Sequence, residues 1–374
     1  MKILAIEPYY KGSHKAWLDQ YSLNSGHQIK ILSLPGKHWK WRMHGASIEL
    51  ASQFNQLDNY HPDLILFTDM MDVNLFLSLT RKDSALTKTI LYFHENQFAY
   101  PKSIFDQDKI SNRDDHYGFI NFTGGLCVDH IFFNSQYNRN SYLEGCKKLV
   151  EKMPDFNSME NIQLLHQKSE VLRLGLSLKE ITPRQHIKKV KEQVILWNHR
   201  WEYDKNPESF FNVLKKLKDE KINFKLNLIG PRNNQAPAIF NKYLKYFENE
   251  IIHSHKVEKK EEYLNIISQS DILPITSNQE FFGISAAEGI CAGAMPLFPN
   301  RLSLPELIPI DLHDRFLYID EDDLLKKLKD YIGNPSLFTE DQTCKNKLIQ
   351  HCQQYDWSYM AKIYDEKFFN LVDK

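Results

Sequence analysis

Four ionisable residues in the second half of the chain have the types and spacing to hold a sugar joined to a diphosphate. Arg200 and Lys205 follow the apolar run VILWNH and straddle what reads as a strand-to-helix loop. Fixed cations there can bind a diphosphate, the guanidinium by a two-point contact and the ammonium as a point charge. Glu280 and Glu288 bracket the run EFFGISAAE, in which Gly283 precedes a helix of small residues. A carboxylate ahead of such a helix start can take sugar hydroxyls while nearby amides approach the ligand. A carboxylate roughly two turns into the helix can accept from a ribose diol. Singly, these are ordinary surface charges, or glutamates that fall on a helix by chance. Together, in one half of the chain, they form a constellation.

The first half offers further candidates. Its first apolar run leads into Tyr9, Tyr10, Lys11, Gly12, Ser13 and His14, ahead of a helical pattern. Gly12 can let the backbone come close to a phosphate at a helix N-terminus, although a tight turn without a ligand explains the segment equally well. No G-x-G-x-x-G is present there, which removes the main support for a nicotinamide dehydrogenase. The stretch Lys37, His38, Trp39, Lys40, Trp41, Arg42 interleaves cations with aromatic rings. That mixture suits looped RNA, where rings stack on unpaired bases and cations meet phosphates; a buried loop anchored by two tryptophans is the competing account. No metal site is expected. Asp114 and Asp115, or Glu321 and Asp322, lack the D-x-D form of metal-dependent transferases, and His253 and His255 have no further ligands at zinc spacing.

The elements that must position these residues are those of an α/β protein. Short apolar runs, KILAIE, QIKIL, DLILFTD, TILYFHE and HIFFNS, alternate with helical patterns in the first half. Runs that do not alternate with polar residues predict parallel strands covered on both faces. After a polar stretch from Ser177 to Gln193, which reads as a linker, VILWNH, FKLNLIG, DILPITS and MPLF repeat the pattern. Asn206 and Pro207 predict a capped helix with Phe210, Phe211, Leu214 and Leu217 on one face. The 374 residues suffice for two such domains. A formal charge of −1 excludes a polybasic coat protein, and any polyanionic partner must be held by a local patch. Five scattered cysteines, no completed signal-peptide core and no run of ~18 apolar residues together predict a cytoplasmic protein.

Arg200, Lys205, Glu280 and Glu288 resemble the set found in the retaining GT-B glycosyltransferases of family 4. There an arginine and a lysine bind the diphosphate, and two glutamates bind sugar and ribose. The segments KGSHK, LPGKHWKWR, LYFHENQFAYP, WNHRWEYDKNPESFF and EFFGISAAE are similar to the tRNA-queuosine α-mannosyltransferases. The resemblance implies a GT-B fold of two Rossmann-like doubly wound domains facing a central cleft. It places an acceptor domain over residues 1–180, a donor domain over 181–354, and a closing helix at about 355–374 that returns to the first domain.

It also implies transfer of mannose from GDP-mannose, with retention, to the cyclopentene-diol of queuosine in a tRNA anticodon loop, without a metal or other cofactor. The partners are then a nucleotide sugar and queuosine-containing tRNA, with no stable membrane association. By the resemblance His94 lies beside the transferred sugar, while its residue context alone reads as a histidine satisfied by backbone at a strand end. Gly12 and Ser13 close on the donor, and Phe281, Phe282, Gly283 and Ile284 present amides to it. Lys37, Trp39, Trp41, Arg42, Asn96 and Gln97 serve the acceptor, with Arg113, Lys147 and Lys148 as possible extensions. The alternatives are a family 4 transferase using another sugar nucleotide with a lipid or polysaccharide acceptor, a catalytically idle RNA-binding protein of the same fold and, more weakly, a GT-B phosphorylase. The sequence leaves the oligomeric state open.

Overall fold

The computed structural model describes residues 1–100, 116–183, 192–232, 238–334 and 342–373. The chain divides into two compact units, Met1–Leu176 with Trp357–Lys374, and Ser177–Asp356.

The first unit carries strands β1 (Lys2–Tyr10), β2 (Gln28–Pro35), β3 (Leu64–Thr68), β4 (Lys88–Phe93), β5 (His130–Phe133) and β6 (Ser169–Val171). They form one parallel sheet in the order β2-β1-β3-β4-β5-β6. Between them run α1 (Gly12–Asn24), α2 (Trp39–Asn55), α3 (Val73–Ser84), α4 (His116–Cys127), α5 (Gln136–Glu151) and α6 (Glu160–Gln167). The inner strands β3, β4 and β5 are largely apolar and buried because helices cover both faces. Ile65, Phe67, Leu91, Phe93, Ile131 and Phe133 alternate along neighbouring strands and meet Phe54, Phe76 and Tyr142 from helices, all buried.

The C-terminal helix Trp357–Val372 completes this unit by packing on α1. Asp365 accepts from Tyr21 Oη, Ser25 Oγ and the Gly26 amide. Tyr364 Oη accepts from Trp17 Nε1 at 3.2 Å and lies 2.9 Å from Tyr92 Oη.

The second unit holds β7 (Gln193–Trp197), β8 (Phe224–Leu228), β9 (Ile251–His253), β10 (Ile272–Pro274), β11 (Met295–Pro299) and β12 (Leu317–Tyr318), in the order β12-β11-β10-β7-β8-β9. Its helices are α7 (Pro207–Asp219), α8 (Ile239–Tyr246), α9 (Lys260–Ser268), α10 (Ile284–Ala292), α11 (Glu321–Gly333) and α12 (Gln342–Gln353), with a single turn at His313–Phe316. The expected helix after Asn206 is present. The Asn206 side chain accepts from the Ser209 amide, Pro207 occupies the first turn, and the four predicted apolar residues are buried.

The stretch expected as a linker needs correction at its start. Leu178 and Ile181 are buried, and Asp356 accepts from the Leu178 and Lys179 amides, so this part belongs to the packed second unit. Residues 184–191 of that stretch, like Arg113, Asp114 and Asp115, lie outside the described residues.

Candidate active site

In the second unit the loops after β7 and β10 are laced together and gather the predicted cations and carboxylates. Thr276 Oγ1 donates to the Lys205 and Asn206 carbonyls, and the Asn278 amide to the Asp204 carbonyl. Lys205, buried, therefore arrives beside Glu280: its Nζ donates to Glu280 Oε2 and to the Gln279 carbonyl, each at 3.1 Å, and lies 3.4 Å from Asp204. Burial works against the ammonium, but Glu280 and Asp204 outweigh it and hold the pKa above the usual lysine value. Arg200 is different in kind. Its side chain is 48% exposed and pairs with Glu202 at 2.9 Å and Asp204 at 3.7 Å, so a cationic head remains at the surface of the loop.

Glu288 lies one helix further in, on α10. It accepts from Tyr263 Oη at 2.6 Å, and Tyr263 in turn takes Asn198 Nδ2 at 3.3 Å. Burial raises the Glu288 pKa while the tyrosine hydrogen bond opposes the rise. The start of α10 is set by Gly283, whose φ of +100° is left-handed; a Cβ there would also stand 2.9 Å from Leu307. Among the described residues no side chain caps this helix end. Phe281 and Phe282 bury their rings and so fix the backbone that leads into the helix. Behind it, His199 Nδ1 lies 2.9 Å from Ser285 Oγ. Burial and the nearby Lys205 push that imidazole down to about 3, so it is neutral.

The first unit supplies a second cluster at the carboxyl ends of its strands. Gly12 opens α1 at φ +57° with none of the described residues within 4 Å of where a Cβ would be. His94, just after β4, is clamped through its backbone: its amide donates to Asp69 Oδ1 at 3.1 Å and its carbonyl accepts from Asn134 Nδ2 at 2.8 Å. Its ring is boxed by His14, Trp17 and Tyr92, with centroids at 4.3, 4.6 and 4.9 Å.

One acceptor assignment changes. Asn96 is fully buried: its amide nitrogen donates to Asn138 and Ser141, and its carbonyl accepts from the Phe98 and Ala99 amides. With its hydrogen-bonding capacity used inside the fold, it shapes the turn after β4 and is not placed to read an acceptor. Gln97, half-buried, bonds Glu95 through its side chain and Asn121 through its amide.

The cationic aromatic stretch is the first turn of α2 instead of a loop. Trp39 packs against Tyr117 at 5.3 Å, Lys40 stands over both rings, and Arg42 donates to the Pro35 carbonyl. Trp41 is 63% exposed and lies over Gly45, where a Cβ would stand 2.6 Å from the indole. The account of two buried tryptophans therefore fails at Trp41. Lys37 is exposed, just ahead of the helix.

Comparison with known proteins adds to this geometry. Residues 2–176 match the family model described as tRNA-queuosine alpha-mannosyltransferase N-terminal, and residues 179–347 match glycosyl transferases group 1. A Drosophila melanogaster tRNA-queuosine alpha-mannosyltransferase is 31% identical over 350 residues, 91% of this chain and 89% of the relative. The chain belongs to the tRNA-queuosine alpha-mannosyltransferase family.

This family member is a glycosyltransferase, and its fold is GT-B. Sucrose-phosphate synthase from Thermosynechococcus elongatus superposes with a TM-score of 0.75 at 12% identity over the whole of both chains. An E. coli trehalose-6-phosphate structure bound with UDP-2-fluoro glucose gives 0.69 at 13% identity, covering 100% of this chain and 99% of the other. These likenesses concern the fold alone.

Several site residues of this family member escaped the sequence reading: Glu7, Asp69, His199 and Tyr263. For the first two a signal existed. Each is a lone carboxylate at the end of an apolar strand run, KILAIE and DLILFTD, where burial makes a charge costly unless it has a partner. Tyr263 sits in an ordinary amphipathic helix and carried no such mark. Among the described residues no three His, Cys, Asp or Glu side chains gather as a metal-ligand set, and no helix is long and apolar enough to cross a membrane.

Proposed function

We propose that this protein transfers mannose from GDP-mannose to a cyclopentene-diol hydroxyl of queuosine in a tRNA anticodon loop, with retention at the anomeric carbon. The observation that carries the reading is the Lys205–Glu280 contact at the foot of α10, which joins a buried cation to a carboxylate beside an uncapped helix start. Arg200 and Lys205 stabilise the departing diphosphate, Glu280 holds sugar hydroxyls, and Glu288 binds the ribose. The amides of Phe281 to Ile284 add the positive end of the helix. In the first unit the reading assigns Gly12 and Ser13 to the donor phosphates, His94 to the transferred sugar, and Lys37, Trp39, Trp41 and Arg42 to the RNA.

In a retaining transfer the acceptor hydroxyl attacks from the face the diphosphate leaves, and a donor phosphate oxygen takes its proton. No protein base is required, and the chain's contribution is charge stabilisation of the diphosphate and of an oxocarbenium-like sugar. With two fixed cations on the diphosphate, the reading needs no metal. The relative's printed activity, together with the match of the first half of the chain to the tRNA-queuosine family model, supports tRNA over a lipid or polysaccharide acceptor. The test is incubation with queuosine-containing tRNA and a panel of sugar nucleotides, followed by nucleoside mass spectrometry. Addition of a hexose to queuosine from GDP-mannose is expected. The reading falls if no donor modifies queuosine.

A further inference from the structure

The ring of His94 is held in place by a second histidine that the proposed chemistry does not use. Glu7, at the end of β1, is fully buried. Its Oε1 accepts from the Tyr9 amide at 2.8 Å, and its Oε2 lies 3.3 Å from His14 Nδ1. Pro8, without an N–H, falls where the β1–β2 register shifts, just after Glu7. The His14 ring then lies against His94 at 4.3 Å between centroids and 32° between planes. Among the described residues both nitrogens of His94 are buried without a hydrogen-bond partner, although Asp69 Oδ1 stands 3.5 Å from Nδ1. A buried imidazole so placed has its donor and acceptor uncommitted within the protein.

We propose that Glu7 and His14 act as one positioning unit, with the His14 ring as the stacking and electrostatic backing that fixes His94 for its contact with substrate. The proposal rests on the reading that His94 meets the transferred sugar. His14 is a positioning residue; it acts through His94.

The electrostatics agree with the geometry. Burial works against a charged His14, but Glu7 outweighs it and raises the imidazole to about 9, so at neutral pH it is an imidazolium. Burial and that neighbouring positive charge push His94 well below its usual value and keep it neutral. The other groups facing the pair are Asp69 beyond β3, raised to about 6 chiefly by burial, Tyr92 on β4, Tyr9, and Glu95. Removing the His14 charge while the carboxylates remain would favour protonation of His94. A neutral His94 can accept a hydrogen bond from a sugar hydroxyl, whereas a protonated one cannot.

The test reads His94 directly. In the whole protein with its histidine ring carbons labelled, and His94 assigned from the His94→Asn variant, the His94 resonance is expected to stay that of a neutral ring from pH 5.5 to 8 while His14 stays charged. Titration of wild-type His94 anywhere between pH 5.5 and 8 overturns the proposal without any variant. His14→Phe keeps a stacked ring and removes the charge. Since it strands a buried Glu7, Glu7→Gln/His14→Phe is made alongside. In His14→Phe, where the carboxylate remains, kcat is expected to fall at least tenfold more at pH 6 than at pH 8, with donor KM little changed; in Glu7→Gln/His14→Phe, where the carboxylate that favours protonation is also gone, the difference should be smaller. A pH profile of His14→Phe identical to wild type overturns the proposal. Normal turnover of His94→Asn would instead overturn the sugar assignment, independently of how His94 titrates.

Discussion

Lys205 Nζ bonds Glu280 Oε2 at 3.1 Å, so the residue assigned to the diphosphate and the residue assigned to the sugar share a hydrogen bond. The lysine is buried and held by the Gln279 carbonyl and Asp204 as well, so its position is set by the protein. A cation preorganised in this way stabilises developing negative charge without reorganising. Lys205→Ala is expected to lower turnover roughly 10²- to 10³-fold. Because each partner places the other, Lys205→Ala/Glu280→Gln should lose less than the product of the single losses. Steady-state rates of hexose addition to queuosine measure both effects; near-normal turnover in Lys205→Ala removes the diphosphate assignment.

Tyr263 gives the ribose assignment a separate handle. Its hydroxyl donates to Glu288 Oε2 at 2.6 Å and so leaves Oε1 for a diol. Tyr263→Phe removes one charge-assisted hydrogen bond, of about 1.5–3 kcal/mol, from a contact made equally in the ground and transition states. The donor KM should rise roughly 10- to 150-fold with kcat little changed. A fall in kcat at constant KM would place Tyr263 in the transfer step itself.

The strands were legible in the sequence because both-face burial writes continuous apolar runs, and β3 and β4 are the clearest. Strand β6 at Ser169–Val171 and β12 at Leu317–Tyr318 are too short to write such a run. Arg200, Lys205, Glu280 and Glu288, assigned to the donor in the proposed function, stood out because they cluster in two segments. The His94 cluster was not, since it is a product of strand order. Placing β1, β3, β4 and β5 side by side brings Glu7, Asp69, His94 and Asn134 together although 62, 25 and 40 positions separate successive members. Asn96 misled for the opposite reason: a polar residue after a strand looks like a site residue until its hydrogen bonds are counted.

The exposed indole of Trp41 yields a prediction about RNA alone. Stacking of one base on an aromatic ring contributes about 1–3 kcal/mol. Trp41→Ala should therefore raise the tRNA KM by roughly 5- to 100-fold without altering the donor KM. Gly45→Ala should do the same more weakly, because a Cβ there must displace the indole that lies 2.6 Å away. A local patch on a chain of net charge −1 also predicts binding that weakens as salt rises. Filter-binding titrations at several salt concentrations measure this, and an unchanged tRNA KM in Trp41→Ala removes the helix from the acceptor surface.

The Glu7–His14 pair sets a basic limit to stability. Folding raises the His14 pKa from 6.5 to about 9, so between those values the folded chain holds a proton that the unfolded chain has released. Its stabilisation is complete below about 6.5 and is lost as pH rises through about 9, by at most about 1.4 kcal/mol per pH unit. Glu7 has the opposite sign. Burial would raise its pKa, but the charge and hydrogen bond of His14 together with the Tyr9 amide hold it below 4.5, and its contribution is present above 4.5 and lost on acidification. Thermal melts should therefore show Tm falling between pH 7 and 9.5 in the wild type. In Glu7→Gln/His14→Phe the fall should be shallower over the same range. An equal slope in the two proteins would mean that the imidazolium is not held by Glu7.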